Sequence, residues 1–207
     1  MKPLPRLYTF ADASFGDPVR LAEALLNAGA RIIQVRNKRG SVRELLEQVE
    51  RILSFAPRGV EIIVNDRVDV ALISGAGGVH LGQDDVPPVE ARRILGLDRM
   101  IGFSTHNLQQ AMRAEKLPVD YVAVGPIFLT ATKEKPDAVV GLENLSAICQ
   151  AIRKPVVAIG GIKLENAEDV LKAGATSVAV ISDVLSAPDV ASRVQSWIER
   201  LNAFQAH

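Results

Sequence analysis

The stretch LLNAGARIIQVRNK, residues 25–38, shows the unit from which the chain is built. Apolar residues at helical spacing end near Gly29, where a left-handed residue would stop a helix, and the aliphatic run Ile32–Arg36 follows. Polar residues come directly after that run. The same order of helix end, glycine and aliphatic run recurs around Gly75 and Gly174. The stretch therefore predicts a repeated unit of one helix and one strand.

Short runs rich in Val and Ile recur along the chain, separated by stretches with helical apolar spacing. The eight runs are Arg6–Thr9, Ile32–Arg36, Glu61–Asn65, Gly78–Gly82, Met100–Thr105, Tyr121–Gly125, Pro155–Gly160 and Ser177–Ser182. Strands that alternate with helices predict a parallel sheet with right-handed crossovers, covered on both faces. Because eight units favour closure over an open sheet, we predict an α/β fold, a single (β/α)8 TIM barrel formed by one domain over residues 1–207.

Charge and cysteine content limit the class of protein. The 24 basic side chains balance 24 acidic ones, so the chain lacks the positive field that nucleic acids or anionic membranes attract. No apolar run approaches the roughly 18 residues that a membrane-spanning helix needs. Cys149 is the single cysteine, and no N-terminal run has the pattern of a signal peptide. We therefore expect a cytoplasmic protein that binds small molecules and binds neither nucleic acid nor membranes.

Chemistry in such a barrel sits at the C-terminal ends of the strands, so the residues there are the candidates for a site. The second run ends in three long polar side chains, Gln34, Arg36 and Lys38, which a period of two places on one side. They are either solvated strand-end residues or donors for a polyanion, in which arginine supplies a planar clamp and lysine a point charge.

The third and fourth runs end in acidic residues. Asn65 ends the third run and Asp66 follows it, and Asp84 and Asp85 follow the fourth run. Two carboxylates at neighbouring strand ends suit Mg²⁺, which keeps several waters and takes further oxygens from a substrate phosphate. The alternative for these aspartates is helix capping. His80, within the fourth run, suits a barrel-interior role as well as an active-site role.

The remaining strand ends carry candidate phosphate ligands. Ser104 ends the fifth run, where Asn107 is the better candidate for capping the next helix. A long polar segment after the sixth run contains Thr130, Thr132 and Lys133, which are suited to hold a phosphate. The last two runs end in Gly160-Gly161 and Ile181-Ser182, which form either plain tight turns or the phosphate cradle that is common at this place in TIM barrels.

The formal charges of these residues fit two phosphorylated ligands. The cations Arg36, Lys38 and Lys133, set against Asp66 and Asp85 with one bound Mg²⁺, give a local charge of about +3, which balances a diphosphate. A monophosphate would lie at the seventh and eighth strands. Two phosphorylated ligands in one barrel mouth predict a reaction that joins them.

Seven segments, in this order and at these spacings, carry a resemblance along nearly the whole chain: QVRNK, VNDRVDVAL, GVHLGQDD, IGFSTHN, DYVAVGPIFLTATK, PVVAIGGI and VAVIS. Together they resemble the thiamine-phosphate synthase family. The resemblance implies a transferase that couples 4-amino-5-hydroxymethyl-2-methylpyrimidine diphosphate to a (carboxy)thiazole phosphate and releases diphosphate. It also implies a dissociative mechanism, in which the bond to diphosphate breaks before the thiazole nitrogen attacks.

The resemblance further implies a role for each candidate. The pyrimidine diphosphate would be held by Gln34, Arg36, Lys38, Asn65, Ser104 and Lys133, of which Arg36, Ser104 and Lys133 would be catalytic. The thiazole phosphate would be held by Thr130, Thr132, Gly161, Ile181 and Ser182. Mg²⁺ would be bound by Asp66 and Asp85. The chain departs from the family pattern at Ala11 and Leu129, which concern the shape of loops more than ligand groups.

Two alternative functions remain open from the sequence. A thiazole tautomerase would share the barrel and use His106 as acid and base, but it would need neither the Arg/Lys set nor the acidic pair. A non-catalytic binder of thiamine precursors has no residue that favours it. A homodimer is possible, since Trp197 and Phe204 would pack either at an interface or against the first helix.

Overall fold

Eight parallel strands close into a barrel in the order β1 to β8, as predicted, in a computed structural model that describes residues 3–130 and 138–204. The strands are β1 Leu7–Asp12, β2 Ile32–Arg36, β3 Glu61–Asn65, β4 Gly78–Leu81, β5 Met100–Thr105, β6 Tyr121–Val124, β7 Val156–Ile159 and β8 Ser177–Ala179. The helices are α1 Pro18–Asn27, α2 Val42–Phe55, α3 Val68–Ser74, α4 Pro88–Leu95, α5 Leu108–Ala114, α6 Gly141–Ala151, α7 Ala167–Lys172, α8 Ser182–Leu185 and α9 Val190–Ala203.

Three of the eight predicted strands have the predicted bounds, and the differences at β1 and β8 affect the site. β1 was expected to end at Thr9, but its ladder continues to Asp12, which pairs with Arg36 of β2. The strand therefore brings a carboxylate to the rim of the barrel. β8 was expected to reach Ser182, but it ends at Ala179, and Ser182 begins the short helix α8.

The strands are buried because helices cover the barrel outside and side chains fill it inside. All six residues of β1 are buried, as are the four residues of β6. Helix α2 illustrates the outer layer: Ser41 caps its N-terminus by accepting from the N–H of Glu44, and its apolar stripe is buried against the sheet. The buried apolar residues of the described chain form one connected core.

The last helix packs inside the chain. Trp197 is fully buried, and its indole N–H donates to the Asp183 carboxylate over 2.8 Å. Phe204 lies under the guanidinium of Arg6, 5.7 Å from the ring centre. The two aromatic residues are therefore used within the barrel, and a homodimer stays a prediction that they do not support. In the described part of the chain, no helix has the length and apolar character needed to cross a membrane.

Two glycines, one before β4 and one at its start, are needed for different reasons. Gly75 ends α3 in the predicted left-handed conformation, with a φ of 75° and open space around it. Gly78 lies in β4 against β5, where an added Cβ would come within 2.1 Å of the Met100 carbonyl oxygen. The first glycine is required by backbone conformation and the second by the close approach of two strands.

We expect Gly78→Ala to lower the free energy of unfolding by about 3 kcal/mol or more, because the new methyl group would push β4 away from β5. Gly75→Ala should cost about 1 to 2 kcal/mol, since only the left-handed conformation is penalised there. Urea denaturation of both variants followed by circular dichroism measures the difference. Equal losses of stability would contradict the close packing at Gly78.

Candidate active site

A cavity of about 580 Å³ opens at the C-terminal ends of the strands. Every predicted site residue in the described part of the chain lines it: Gln34, Arg36, Lys38, Asn65, Asp66, Asp85, Ser104, Thr130, Gly161, Ile181 and Ser182. Thr132 and Lys133 lie outside the described residues. The alternation along β2 is confirmed, because the side chains of Gln34, Arg36 and Lys38 share the cavity. The predicted site residues thus come from the ends of seven of the eight strands, and Tyr8 and Phe10 of β1 also line the cavity.

Arg36 is held at the rim by a carboxylate that sequence reasoning missed. Its guanidinium donates to Asp12 over 2.7 Å, and the Asp12 side chain is only 1% exposed, against 24% for Arg36. The other Asp12 oxygen accepts from the N–H of Ser14 at 2.8 Å. Asp12 was not recognised as a partner because β1 was expected to end at Thr9. A charge-assisted, largely buried pair fixes the arginine before any ligand binds.

Asp66 and Asp85 face each other across the ends of β3 and β4. Lys38 lies 2.8 Å from one oxygen of Asp66, and the N–H of Gly82 donates to Asp85 over 2.7 Å. Burial raises the pKa of Asp85; the Gly82 N–H lowers it, and the nearby Asp66 carboxylate raises it again. The two carboxylates repel each other at a half-buried rim, and a bound cation would reduce that repulsion.

Helix capping does not explain either aspartate. Arg67 and Pro87 occupy the N-cap positions of α3 and α4, and neither helix has a side-chain cap hydrogen bond. Asp66 instead has a φ of 62°, and its N–H donates to the His80 carbonyl at 2.8 Å. This left-handed residue turns the chain sharply at the end of β3. Asn107, by contrast, caps α5 as predicted, because its side chain accepts from the N–H of Gln110.

The donor set fits Mg²⁺ better than a cation that needs a full protein cage. No group of three or more His, Cys, Asp or Glu side chains suited to a metal occurs within residues 3–130 and 138–204. With a cation bound here, Asp66 and Asp85 would provide two carboxylates and would leave the remaining positions to water and ligand oxygens. This partial set is the one that Mg²⁺ commonly uses together with a substrate phosphate.

A chain of hydrogen bonds crosses the barrel interior beneath the rim. Gln34 Nε2 donates to the Tyr8 hydroxyl at 2.9 Å, and the hydroxyls of Tyr8 and Tyr121 lie 2.8 Å apart. His80 joins the chain through Nδ1, 3.1 Å from the Tyr121 hydroxyl, and through Nε2, 2.9 Å from Ser104 Oγ. His80 thus belongs to the barrel interior and also lines the cavity, so its position is compatible with both roles left open by the sequence.

The register of the sheet makes this chain possible. Gly102 of β5 pairs with His80 of β4 on one side and with Tyr121 of β6 on the other. A Cβ at Gly102 would lie 2.3 Å from the Tyr121 hydroxyl oxygen, so the glycine leaves the room in which the two rings stack at 5.6 Å. The tyrosines were missed because they were read only as strand residues, although the chain has just 2 tyrosines and both point into the barrel.

Burial keeps this interior uncharged. It lowers the pKa of His80 to about 4, an effect that the charge of Asp66 opposes, and it raises the pKa of Tyr8 to about 12. Burial also raises the pKa of Tyr121 well above its ordinary value, with a further rise from Tyr8. The groups in contact with one another are therefore neutral near pH 7.

The opposite edge of the cavity is formed by backbone. Gly160 and Gly161 have φ values of 101° and 65°, and a Cβ at Gly161 would come within 2.5 Å of the Leu129 carbonyl oxygen. Both glycines are thus needed for a tight turn, and they also line the cavity together with Ile181 and Ser182. A tight turn and a phosphate cradle, the two alternatives that the sequence offered for this segment, are therefore compatible.

His106 and Cys149 are two further groups with reactive side chains. His106 lines the cavity, and its Nδ1–H donates to the Gly125 carbonyl at 2.7 Å, which fixes the ring. Cys149 lies in α6 away from the cavity lining, and burial raises the pKa of its thiol to about 11. A thiol of this kind is a poor nucleophile at neutral pH.

We expect His80 to make folding stability depend on pH. In the unfolded chain His80 takes up a proton below about pH 6.5, whereas the folded protein resists protonation down to about pH 4. Stability should therefore be present above pH 6.5 and fall by about 2 to 3 kcal/mol as the pH drops towards 4. Urea unfolding of the wild type and of His80→Gln across this range measures the histidine contribution. Equal losses in both proteins would contradict it, and an NMR titration of the His80 ring checks the pKa directly.

Comparisons with known proteins agree on one family. A family model described as thiamine monophosphate synthase matches residues 7–184. A thiamine-phosphate synthase from Koribacter versatilis is 45% identical over 192 residues, which cover 89% of this chain and 91% of that protein. One from Chloroflexus aurantiacus is 47% identical over 189 residues, with 89% and 87% covered.

A solved structure gives the same result for the fold. Thiamine phosphate pyrophosphorylase from Pyrococcus furiosus superimposes with a TM-score of 0.87 and 36% identity, covering 95% of each chain. The family model spans most of the barrel, and the relatives match over nearly their whole length. The chain therefore belongs to the thiamine monophosphate synthase family.

Proposed function

We propose that this transferase couples 4-amino-5-hydroxymethyl-2-methylpyrimidine diphosphate to a (carboxy)thiazole phosphate, giving thiamine phosphate and diphosphate, in the cytoplasm and with Mg²⁺. The observation that carries the proposal is that three groups of residues meet in one cavity. They are a cationic edge (Arg36 and Lys38), an acidic pair (Asp66 and Asp85) and a glycine-lined edge (Gly161, Ile181 and Ser182). Each edge suits one part of the two substrates. Family membership supports the overall reaction, and the geometry supports the assignment of residues.

The cationic edge suits the diphosphate. Arg36 is held in place by Asp12, and Lys38 reaches the same rim from the position two residues further along. Both line the same cavity as Asn65 and the acidic pair. Lys133, by its family resemblance, completes the set of cations that would stabilise the negative charge that develops on departing diphosphate.

Asp66 and Asp85 are the residues that would hold Mg²⁺. Bound there, the ion would supply positive charge to the diphosphate oxygens and make diphosphate a better leaving group. Lys38, which pairs with Asp66 at 2.8 Å, is close enough to share this task. The turn at Asp66 and the hydrogen bond from the Gly82 N–H to Asp85 orient the two carboxylates.

The glycine-lined edge suits the thiazole phosphate. Gly161, Ile181 and Ser182 would offer mainly backbone N–H groups, and Thr130 lies at the same cavity. Thr132 joins this group by resemblance. Placing the phosphate at β7 and β8 puts the thiazole opposite the diphosphate, so that its nitrogen is held near the carbon from which diphosphate leaves.

The described cavity favours a mechanism without a covalent nucleophile. Ser104 accepts or donates a hydrogen bond with neutral His80, and Cys149 lies elsewhere with a raised pKa. Charge stabilisation and positioning are what the residues offer, which agrees with departure of diphosphate before the thiazole nitrogen attacks. The tautomerase alternative relies on His106, but the named relatives are synthases. In addition, a proton shift on the thiazole would not require the cationic edge or the acidic pair.

One assay tests the function. The two phosphorylated halves are supplied together, with and without Mg²⁺, and the release of diphosphate is measured alongside the formation of thiamine phosphate. Release that requires both substrates and Mg²⁺ supports the proposal. Isomerisation of the thiazole without diphosphate release would support the tautomerase, and binding without product would contradict an enzyme.

We expect the double variant Asp66→Asn/Asp85→Asn to lose Mg²⁺-dependent turnover by more than about a hundredfold, because the site loses both charges that attract the ion. Its fold should remain, since the substitutions also remove the repulsion between the carboxylates. Glu90→Gln on α4 is the matched control, because this exposed carboxylate pairs with Arg93 at the surface, and Glu90 does not line the cavity. Steady-state kinetics over a range of Mg²⁺ concentrations measure the turnover of the double variant and of the control, and circular dichroism checks that each is folded. Unchanged Mg²⁺ dependence in the double variant would overturn the metal assignment.

We expect Arg36→Met to affect both stability and activity. It leaves Asp12 buried without its partner, which should cost about 3 kcal/mol, and it removes a cation from the diphosphate. Adding Asp12→Asn should restore most of the stability and none of the turnover. Urea denaturation and turnover of the single and double variants separate the two effects. Recovery of turnover in the double variant would show that Arg36 acts only through folding.

A further inference from the structure

The hydrogen-bond chain beneath the rim has a direction that follows from the orientation of the Gln34 amide. Its members are Gln34, Tyr8, Tyr121, His80 and Ser104, in that order across the barrel. No side-chain nitrogen or oxygen that is buried in the described part of the protein lacks a hydrogen-bond partner. Each hydroxyl proton in the chain therefore needs an acceptor, and this requirement can be followed from one end to the other.

The direction begins at Gln34. Its amide presents Nε2 to the Tyr8 hydroxyl, so Tyr8 accepts there and must donate elsewhere. The oxygen of Tyr121, 2.8 Å away, is the acceptor within reach. Tyr121 in turn accepts from Tyr8 and donates its own proton to His80 Nδ1 at 3.1 Å. The reverse direction would leave the Tyr8 proton pointing at an amide N–H.

His80 transmits this direction to Ser104. Because Nδ1 accepts a proton from Tyr121, the ring carries its hydrogen on Nε2, which donates to Ser104 Oγ at 2.9 Å. A doubly protonated ring would donate to Tyr121 as well and would leave the Tyr121 proton without an acceptor. The Ser104 oxygen is therefore an acceptor from His80, and its own hydroxyl proton is directed to the cavity that Ser104 lines.

We propose that Tyr8, Tyr121 and His80 are positioning residues, which hold the Ser104 hydroxyl as a hydrogen-bond donor towards a lone-pair acceptor of the substrate, such as a nitrogen of the pyrimidine ring. The choice of substrate rests on the function proposed above, whereas the direction of the chain does not. A site that offers a fixed donor discriminates against ligands that present an N–H at the same place, because two donors would then face each other.

The direction of the chain is tested on the ligand-free wild type. Long-range ¹H–¹⁵N spectra of protein labelled in histidine separate protonated from unprotonated ring nitrogens, and His80→Gln assigns the His80 signals. We expect a neutral ring with the hydrogen on Nε2 and an unprotonated Nδ1 near pH 7. A ring with its hydrogen on Nδ1 would overturn the proposal, whether or not the protein has synthase activity. The measurement needs no substrate, and the tautomer is read from the wild-type protein.

The action through Ser104 is tested by a double-mutant cycle. Tyr121→Phe removes the hydroxyl that fixes the His80 ring, so we expect about a tenfold higher KM for the pyrimidine diphosphate and unchanged inhibition by inorganic diphosphate. In a Ser104→Ala background the same substitution should change KM less than about twofold, because the residue through which it acts is gone. Independent effects of the two substitutions, or equal loss of affinity for inorganic diphosphate, would overturn the positioning role.

Thr9→Val is the matched control for the cycle. It removes another fully buried hydroxyl, which donates to the Ile32 carbonyl at 2.7 Å, next to Tyr8 on β1 but outside the cavity lining. We expect lower stability and an unchanged KM. A rise in KM as large as that of Tyr121→Phe would show that any buried hydroxyl of the barrel has the same effect, which contradicts the proposal.

Discussion

The pairing of β1 with both β2 and β8 closes the barrel, and the cavity depends on that closure. Leu7 and Tyr8 lie beside Val178 and Ala179 on one side, while Thr9 to Asp12 lie beside β2 on the other. A closed parallel barrel directs the C-terminal ends of all strands to one rim. Because of this closure, residues as distant in sequence as Asp12 and Ser182 lie at the same end of the barrel. Ser182 lines the cavity, and Asp12 holds Arg36, which lines it too.

The charged groups at the rim divide into a fixed part and an adjustable part. Asp12 is almost fully buried where it holds Arg36, whereas Lys38 is 53% exposed where it meets Asp66. An exposed lysine pair contributes little to stability and exchanges partners easily, while an arginine paired with a buried carboxylate keeps its position. Binding of diphosphate with a cation would then require little reorganisation of Arg36 and would mainly redistribute the partners of Lys38 and Asp66. Such an arrangement lowers the ordering cost of binding.

The sequence predicted the barrel and most of the rim because both follow from local patterns. The aliphatic runs give the strands, and a period of two places Gln34, Arg36 and Lys38 on one side. What it could not predict depends on register between strands. Asp12 needed the extra residues of β1, and the contact of Tyr121 with His80 needed Gly102 to lie between them. The tyrosines were nevertheless detectable, since a hydroxyl in an otherwise aliphatic strand must find a partner when it is buried.

The neutral interior and the charged rim are complementary in the proposed reaction. As diphosphate departs, positive charge develops on the pyrimidine, which in this cavity would lie between the rim and the hydrogen-bond chain. A cationic His80 beneath it would oppose that charge in a medium of low dielectric constant, and its lowered pKa prevents this near neutral pH. Ionised tyrosines would attract the positive charge but would also repel the incoming diphosphate, and their raised pKa values exclude this too. The interior can therefore orient the pyrimidine ring through directed hydrogen bonds, while the charged groups of the rim stabilise the negative charge on departing diphosphate.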